Sequence, residues 1–262
     1  MDRILGVIPA RYASTRFPGK PLAPLGDKSI LEEVWQRAAT SQRIDRLVVA
    51  TDDPRIVSAC EGFGAEVMMT DAGHPSGTDR VAEVVERLGD EHSVVINVQG
   101  DEPLLTGTSL DRLAGAFDAG PAVEMATLVE PLQTADDLFD PNVVKVVAAA
   151  NGRALYFSRA PIPYHRGAKS RLGADFREAL AERSGRLAGY RRHQGIYAYR
   201  RETLLTLSKM PPSALEIDEG LEQLRALEAG ISIHVVDSDF RSQGVDTPAD
   251  LERVARILTE AH

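Results

Sequence analysis

The sequence predicts an α/β fold in which helices cover both faces of a mostly parallel sheet. In the first half of the 262 residues, short apolar runs typical of buried strands alternate with segments of helical periodicity, as in βαβ units. Apolar residues make up 43% of the chain, enough for a large core. No linker divides it, so we expect one domain over residues 1–262, with a smaller α+β lobe inserted at 140–210.

Four strand–helix pairs are predicted in the front half. The helical periodicity is clearest in the segments that begin at Val81 and at Leu110, where apolar residues recur at i, i+3, i+4 and i+7. The predicted strands are 4–8, 47–50, 67–69 and 94–98, and the helices that follow them are 29–41, 54–63, 77–88 and 107–118.

The pattern changes in the middle of the chain. Asn151 and Gly152 suit a tight hairpin turn between predicted strands 143–148 and 154–158, because both residue types tolerate positive φ. The polar, Arg-rich stretch that continues to about residue 190 is predicted to be a loop with a helical piece, followed by a strand at 191–199.

The last part returns to α/β alternation. Ser213 and Glu216 form a capping-box pattern, which predicts the start of a helix. That helix would carry Ile217, Leu221 and Leu224 on one face. A strand at 231–236 and a terminal helix with Pro248 in its first turn complete the prediction.

The composition indicates in which cellular compartment the protein is expected. The single cysteine, Cys60, excludes an internal disulfide and a Cys-cluster zinc site and is typical of a reducing compartment. The first apolar run is too short for a signal peptide. No segment approaches the roughly 20 apolar residues that a membrane helix needs. We therefore expect a cytoplasmic protein without a membrane partner.

The distribution of charge favours anionic small ligands. The net charge is −9, yet residues 1–28 hold five Lys or Arg against two Asp or Glu, and residues 151–209 hold thirteen against four. Nucleic acid usually calls for a basic domain, so we expect no nucleic-acid partner. The alternative is that the basic segments are solvated faces or dimer contacts.

A candidate phosphate-binding loop follows the first predicted strand. Loops at the carboxyl ends of parallel strands lie where open α/β sheets bind ligands. Small residues there let backbone N–H groups approach phosphate oxygens, and Arg11, Arg16 and Lys20 can neutralise a triphosphate. The loop contains neither a Walker A nor a G-x-G-x-x-G motif. A plain basic surface loop would have the same composition.

Two aspartates are candidate metal ligands. Asp101 directly follows a buried predicted strand, and a carboxylate there suits Mg²⁺ bound together with substrate phosphates. Asp246 lies just before the terminal helix, where an aspartate also commonly serves as an N-cap.

Seven motifs in order resemble the CMP-Kdo synthetase family, the 3-deoxy-manno-octulosonate cytidylyltransferases. The resemblance covers the chain from residue 4 to about 255. The motifs are PARYASTRFPGKPL from Pro9, HPSGTDR from His74, NVQGDEP from Asn97, YFSRA from Tyr156, HQGIY from His193, LEQLR from Leu221 and GVDTP from Gly244.

The resemblance implies the Rossmann-like nucleotide-diphospho-sugar transferase fold and a homodimer. It further implies transfer of CMP from CTP to the anomeric C2 hydroxyl of 3-deoxy-D-manno-octulosonate (Kdo), with release of pyrophosphate, for lipopolysaccharide biosynthesis. The lobe at 140–210 would bind the sugar and contribute to the dimer. Carried over by position, the implied CTP-binding residues are Ala10, Arg11, Ser14, Lys20, Ser76 and Arg80. The implied sugar-binding residues are Gln99, Arg159, His193, Tyr197, Glu219 and Glu222. Asp101 and Asp246 would bind Mg²⁺, and Arg11, Lys20 and Asp101 would be catalytic.

Two alternatives stay open. The substrate could be another acidic sugar, 8-amino-Kdo or a sialic acid, although the sequence Tyr12-Ala13-Ser14-Thr15 differs from the Gly-Ser-Lys type loop of sialic-acid enzymes. A non-catalytic nucleotide-binding regulator on the same fold would lack a metal carboxylate or the loop lysine. Asp101, Asp246 and Lys20 are all present in this sequence.

Overall fold

The computed structural model describes residues 2–13, 16–120, 122–164 and 187–260. Its strands are β1 (Ile4–Ala10), β2 (Pro24–Leu25), β3 (Lys28–Ser29), β4 (Arg46–Thr51), β5 (Glu66–Met69), β6 (Val94–Asn97), β7 (Met125–Pro131), β8 (Lys145–Ala148), β9 (Ala154–Ser158), β10 (Arg191–Arg200) and β11 (Ile233–Asp237). Its α-helices are α1 (Ile30–Ala38), α2 (Pro54–Phe63), α3 (Gly77–Leu88), α4 (Gly107–Gly115), α5 (Ala135–Phe139), α6 (Arg201–Leu207), α7 (Ala214–Glu219), α8 (Gln223–Glu228) and α9 (Pro248–Glu260).

One sheet organises these elements. Its main row has the order β11-β7-β10-β6-β1-β4-β5. Only β10 in this row is antiparallel to its neighbours, and the other adjacent pairs are parallel. The carboxyl ends of β1, β6 and β7 therefore meet at one edge of the sheet. The predicted mostly parallel α/β fold is confirmed.

Apolar side chains on both faces of the sheet pack against helices. In β1, Ile4 and Ile8 belong to one core and Leu5 and Val7 to the other, as the alternation of a strand requires. Helices α1, α2, α4 and α9 cover the first face, and α3, α6 and α8 cover the second. Among the described helices, none is long and apolar enough to cross a membrane.

Side-chain caps set where several helices begin. Ser29 accepts a hydrogen bond from the first turn of α1, and Asp53 does the same for α2. Ser76 and Asp79 form a complete capping box at the start of α3, so two orphan backbone donors are satisfied there. These caps lie within one or two residues of the predicted helix starts.

Three details of the sequence prediction are wrong. Strand β7 was not predicted, although all of it except its last residue is buried. Gly220 adopts the left-handed conformation and ends α7, so the single helix expected after Ser213 is two helices. Ile217 is 68% exposed instead of sharing a buried face. The predicted β8–β9 hairpin is confirmed, and Gly152 in its turn has positive φ.

The lobe expected at 140–210 contributes directly to the main sheet. Its last strand, β10, lies between β6 and β7. β8 pairs with the start of β10, and β9 pairs with β8. The Arg-rich stretch from 165 to 186 lies outside the described residues.

We expect Gly107→Ala to destabilise the fold. A Cβ at Gly107 would lie 2.3 Å from Thr40 Oγ1 and 2.6 Å from the backbone nitrogen of Ser41. Relief of this clash requires a shift of α4 or of the backbone between α1 and β4. Urea unfolding should show a loss of about 1–3 kcal/mol. Gly115→Ala, at the other end of α4, is the matched control, because its nearest neighbour is the flexible Arg43 side chain at 3.3 Å. Equal stability of the two variants would contradict the prediction.

Candidate active site

The loop after β1 turns back towards the sheet and ends at Lys20. Gly19 has a φ of 73°, a left-handed conformation that glycine adopts without strain. Its N–H donates to the carbonyl of Tyr12 at 3.0 Å. The Tyr12 ring packs against Gly19, and the guanidinium of Arg55 lies 3.3 Å from the ring centroid. These contacts fix the path of the loop on both sides of Ser14, the predicted CTP contact that lies outside the described residues.

Lys20 joins the two aspartates that the sequence suggests as metal ligands. Its Nζ donates to Asp101 Oδ2 at 2.8 Å and to Asp246 Oδ1 at 3.2 Å. Burial lowers the pKa of Lys20, but the charges and hydrogen bonds of the two carboxylates outweigh it and leave the pKa above its usual value. The ammonium is therefore charged at neutral pH. Arg16 adds a second cation, 3.1 Å from Asp246 Oδ2.

A cleft of about 400 Å³ opens beside this cluster. Four of the predicted CTP-binding residues line it, together with two further predicted site residues. These six are Ala10, Arg11, Lys20, Ser76, Gln99 and Asp101. Gly77 at the start of α3 lines the same cleft, so the dipole of this helix favours an anion there.

Close backbone packing forms the floor of the cleft. A Cβ at Gly100 would lie 2.9 Å from the carbonyl oxygen of Pro9, so only glycine lets the ends of β1 and β6 approach this closely. Arg11 lies across the entrance to α3 and donates to the carbonyls of His74 and Ser76. These contacts hold a cation at the anion-binding end of the helix.

Arg80 takes a different position from the other predicted CTP-binding residues. Its side chain is fully buried, with Nη2 3.2 Å from Asp52 Oδ1 and Nη1 donating to Thr70 Oγ1. Burial lowers the pKa of Arg80, against the opposing charge of Asp52. Its guanidinium lies behind the wall of the cleft, so direct contact with CTP would require a rearrangement.

Four predicted sugar-binding residues form a row along β10. Gln99 Nε2 donates to the carbonyl of Gly195 at 3.1 Å, inside the irregular register between His193 and Tyr197. The rings of His193 and Tyr197 lie 5.2 Å apart. Tyr197 and Glu222 line the same enclosed cavity of about 20 Å³, and burial raises the pKa of Glu222. The row begins at the cleft and continues into the core.

Arg159 and Glu219, the other two predicted sugar-binding residues, bind each other. Glu219 accepts hydrogen bonds from Ser158 Oγ at 2.5 Å and from the backbone nitrogen of Arg159 at 2.9 Å. The Arg159 guanidinium donates to the carbonyls of Glu219 at 2.7 Å, Pro141 at 2.9 Å and Gly220 at 3.2 Å. This guanidinium thus connects the end of β9 to two other backbone segments, one at Pro141 and one at Glu219 and Gly220.

Sequence reasoning missed Lys145, which belongs to the same cluster. This lysine is fully buried in β8, and its Nζ donates to the carbonyls of Arg159 at 2.6 Å and Asp140 at 2.8 Å. Burial lowers the pKa of Lys145. A lysine inside an apolar strand was the available signal, because such a charge needs buried acceptors.

A second cavity, of about 650 Å³, lies on the other side of Asp101 and Asp246. Arg192, His193 and Glu102 line it. Burial, helped by the charge of Arg192, lowers the pKa of His193 to about 3. Burial and the charge of Asp101 raise the pKa of Glu102 to about 8. At neutral pH the imidazole is neutral and offers hydrogen bonds without charge.

A basic loop, a helix N-terminus and paired carboxylates meet at the edge of a Rossmann-like sheet, an arrangement that suits a nucleotidyltransferase. The family model described as cytidylyltransferase matches residues 5–233. A 3-deoxy-manno-octulosonate cytidylyltransferase from Geobacter sulfurreducens is 49% identical over 255 residues, 97% of this chain and 99% of that protein. One from Syntrophotalea carbinolica is 50% identical over 259 residues, 99% of this chain and 98% of that protein. The chain belongs to the cytidylyltransferase family and, within it, to the 3-deoxy-manno-octulosonate cytidylyltransferases.

Solved structures agree with this assignment. A CMP:2-keto-3-deoxy-manno-octonic acid synthetase complexed with CTP matches with a TM-score of 0.88 at 39% identity, over 99% of this chain and 100% of that chain. A cytidylyltransferase from Leptospira borgpetersenii matches with a TM-score of 0.63 at 16% identity, over 99% of this chain and 88% of that chain. The second match shows the shared fold alone.

The buried His193 should make stability depend on pH. Its folded-state pKa of about 3 lies below the ordinary 6.5, so unfolding releases an imidazole that takes up a proton below pH 6.5. The contribution to stability is present above pH 6.5 and is lost as the pH falls towards 3. Between pH 8 and pH 5, wild type should lose about 2 kcal/mol of unfolding free energy relative to His193→Gln.

Urea titrations at the two pH values measure this difference. His234→Gln, a change at a half-buried histidine on β11, is the control for the loss of a histidine elsewhere in the sheet. Identical pH dependence of His193→Gln and wild type would show that His193 titrates normally in the folded chain.

Proposed function

We propose that this enzyme transfers CMP from CTP to the anomeric C2 hydroxyl of Kdo and releases pyrophosphate, as a step in lipopolysaccharide biosynthesis. The observation that carries the proposal is the meeting of Lys20, Asp101 and Asp246 at the cleft. Relatives that are 49–50% identical over nearly their full length are 3-deoxy-manno-octulosonate cytidylyltransferases, which supports the choice of sugar.

Binding of CTP would depend on the first basic segment. The triphosphate would lie between the loop after β1 and the start of α3, where Arg11 and Lys20 line the cleft. Both cations would stabilise charge that develops on the transferred phosphoryl group and on departing pyrophosphate. Arg11 is held by a backbone carbonyl before the ligand arrives. Lys20 would exchange carboxylate contacts for phosphate oxygens when Mg²⁺ binds to Asp101 and Asp246.

Asp101 and Asp246 fit a magnesium site. Their oxygens converge on one ammonium, and Mg²⁺ is commonly held by one or two carboxylates together with substrate phosphates. In the described part of the chain, no group of three or more His, Cys, Asp or Glu could hold a metal by itself, so phosphate and water would complete the coordination. Bound Mg²⁺ would supply phosphate neutralisation and polarise the attacking hydroxyl.

Residues on β10 and around β9 would orient the sugar. Gln99 and His193 line cavities on the two sides of Asp101, and the neutral imidazole would hydrogen-bond to sugar hydroxyls. Arg159 suits a carboxylate, and we propose that it reaches the Kdo carboxylate through N–H groups left over from its backbone contacts. Glu219, Glu222 and Tyr197 would accept or donate hydrogen bonds in the same region.

The subunit arrangement is also part of the proposal. We propose that the enzyme acts as a homodimer in which residues 140–210 contribute both to the sugar site and to the subunit contact. The described components of that range include β8, β9 and Arg159. The resemblance of the sequence to the CMP-Kdo synthetase family implies a homodimer.

Pyrophosphate release identifies the sugar. The purified chain should release pyrophosphate from CTP and Mg²⁺ when Kdo is added, and much more slowly with 8-amino-Kdo or N-acetylneuraminic acid offered singly. Release with none of the three sugars would exclude the proposed activity. Preference for another of them would keep the reaction and replace the substrate.

Asp101→Asn tests the metal site. The amide keeps the shape of the side chain but removes the charge, so metal stabilisation worth several kcal/mol should weaken and turnover should fall at least about 100-fold. The rate of pyrophosphate release at saturating CTP and Kdo measures the effect. Asp118→Asn, an exposed aspartate paired with Arg43, is the control. Near-normal turnover of Asp101→Asn would overturn the metal assignment.

A further inference from the structure

A buried polar junction lies directly behind the two carboxylates. Asp101 follows β6 and Asp246 precedes α9, so they belong to segments far apart in sequence. The junction consists of Glu102, Glu130 and Ser242, all three of which are buried. It is distinct from the Lys20 bridge, because none of its members contacts that ammonium.

Ser242 connects the segment that carries Asp246 to two other parts of the fold. Its hydroxyl donates to Glu102 Oε1 at 2.6 Å. Its backbone nitrogen donates to Glu130 Oε1 at 3.2 Å, at the end of β7. The carboxylate of Glu130 also lies 3.7 Å from the Nε of Arg192, which balances its charge.

Gly244 and Val245, which follow in the same segment as Ser242, also contact Asp101 and Glu102. A Cβ at Gly244 would lie 3.2 Å from Glu102 Oε1, so glycine lets the backbone lie close against this carboxyl group. The backbone nitrogen of Val245 donates to the carbonyl of Asp101 at 2.9 Å. One side-chain bond and one backbone bond therefore attach residues 242–245 to the pair Asp101 and Glu102.

A buried polar junction at this place stabilises the fold less than apolar residues of the same volume would. Burying two carboxyl groups near Asp101 carries a desolvation penalty, and apolar residues would fill the same volume without it. Directional hydrogen bonds, in contrast, fix how one segment is aligned with the other. The alignment of these two segments sets the distance between the carboxylates of Asp101 and Asp246.

We propose that Glu102 and Ser242 are positioning residues that hold Asp101 and Asp246 at the separation a divalent cation requires. The inference rests on the proposed function, since it takes the two aspartates as metal ligands. Partners behind metal ligands typically contribute 10–100-fold to metal affinity or activity. Loss of the junction should therefore weaken the metal site with little effect on nucleotide binding alone.

Ser242→Ala tests the inference against a matched control, Ser238→Ala. The Ser238 hydroxyl donates within the same segment, to the carbonyl of Phe240 at 3.0 Å. Mg²⁺ is titrated calorimetrically into each full-length variant saturated with CTP, without sugar, and the heat of Mg²⁺ binding to free CTP is subtracted. Ser242→Ala should raise the Mg²⁺ dissociation constant about tenfold. Ser238→Ala should match wild type, and both should bind metal-free CTP normally.

A second pair of variants separates hydrogen bonding from packing. Glu102→Gln keeps an oxygen that can accept the Ser242 hydroxyl, whereas Glu102→Leu has a similar volume and no acceptor. Glu102→Gln should stay within about threefold of wild type in Mg²⁺ affinity, and Glu102→Leu should resemble Ser242→Ala. Combining Glu102→Leu with Ser242→Ala should add little, because both changes remove the same bond. If Glu102→Leu does not fold, Ser242→Ala carries the comparison.

The outcomes separate the two proposals. Wild-type Mg²⁺ affinity in both Ser242→Ala and Glu102→Leu would overturn the positioning role and leave the proposed function intact. Equal weakening in Ser242→Ala and Ser238→Ala would also overturn it, because the effect would then be a general loosening of the segment. Failure of wild type to bind Mg²⁺ together with CTP would instead count against the proposed function.

Discussion

The bridge from Lys20 to Asp101 and Asp246 is the contact on which the rest of the site depends. It joins the loop after β1, the end of β6 and the start of α9 at one ammonium. Without that cation, two carboxylates would face each other, and their repulsion would push the segments apart. The left-handed turn at Gly19 and the packing of Tyr12 return the chain to the sheet at Lys20. They therefore place the ammonium between the two carboxylates.

The topology of the sheet makes this meeting possible. Because β1 and β6 are parallel neighbours, the loops that follow them leave the same edge side by side. Insertion of the antiparallel β10 between β6 and β7 then brings residues of the second half of the chain alongside Asp101. The cleft beside Lys20 and the proposed sugar residues are therefore joined through one shared strand neighbour, β6.

The parts of this architecture that depend on local pattern could be predicted from the sequence. The early strand–helix pairs show clear periodicity, and Lys20, Asp101 and Asp246 each follow a strand or precede a helix in a recognisable motif. Strand β7 was missed because Thr127 and Glu130, both buried, interrupt the apolar run that indicated the other buried strands. Arg159 and Lys145 bind backbone carbonyls that only the folded chain brings together. A local sequence pattern therefore could not predict these contacts.

The two basic segments of the sequence, residues 1–28 and 151–209, differ in what their described residues contact. In the first, Arg11 and Lys20 line the cleft, as a triphosphate site requires. In the second, each described arginine of the β10 region has an acidic partner within the chain. The pairs are Arg191 with Asp237, Arg192 with Glu130, Arg200 with Asp2, and Arg201 with Glu202. Three of these pairs join different segments of the chain. The described arginines of β10 therefore have partners within the fold and say little about the charge of the ligand.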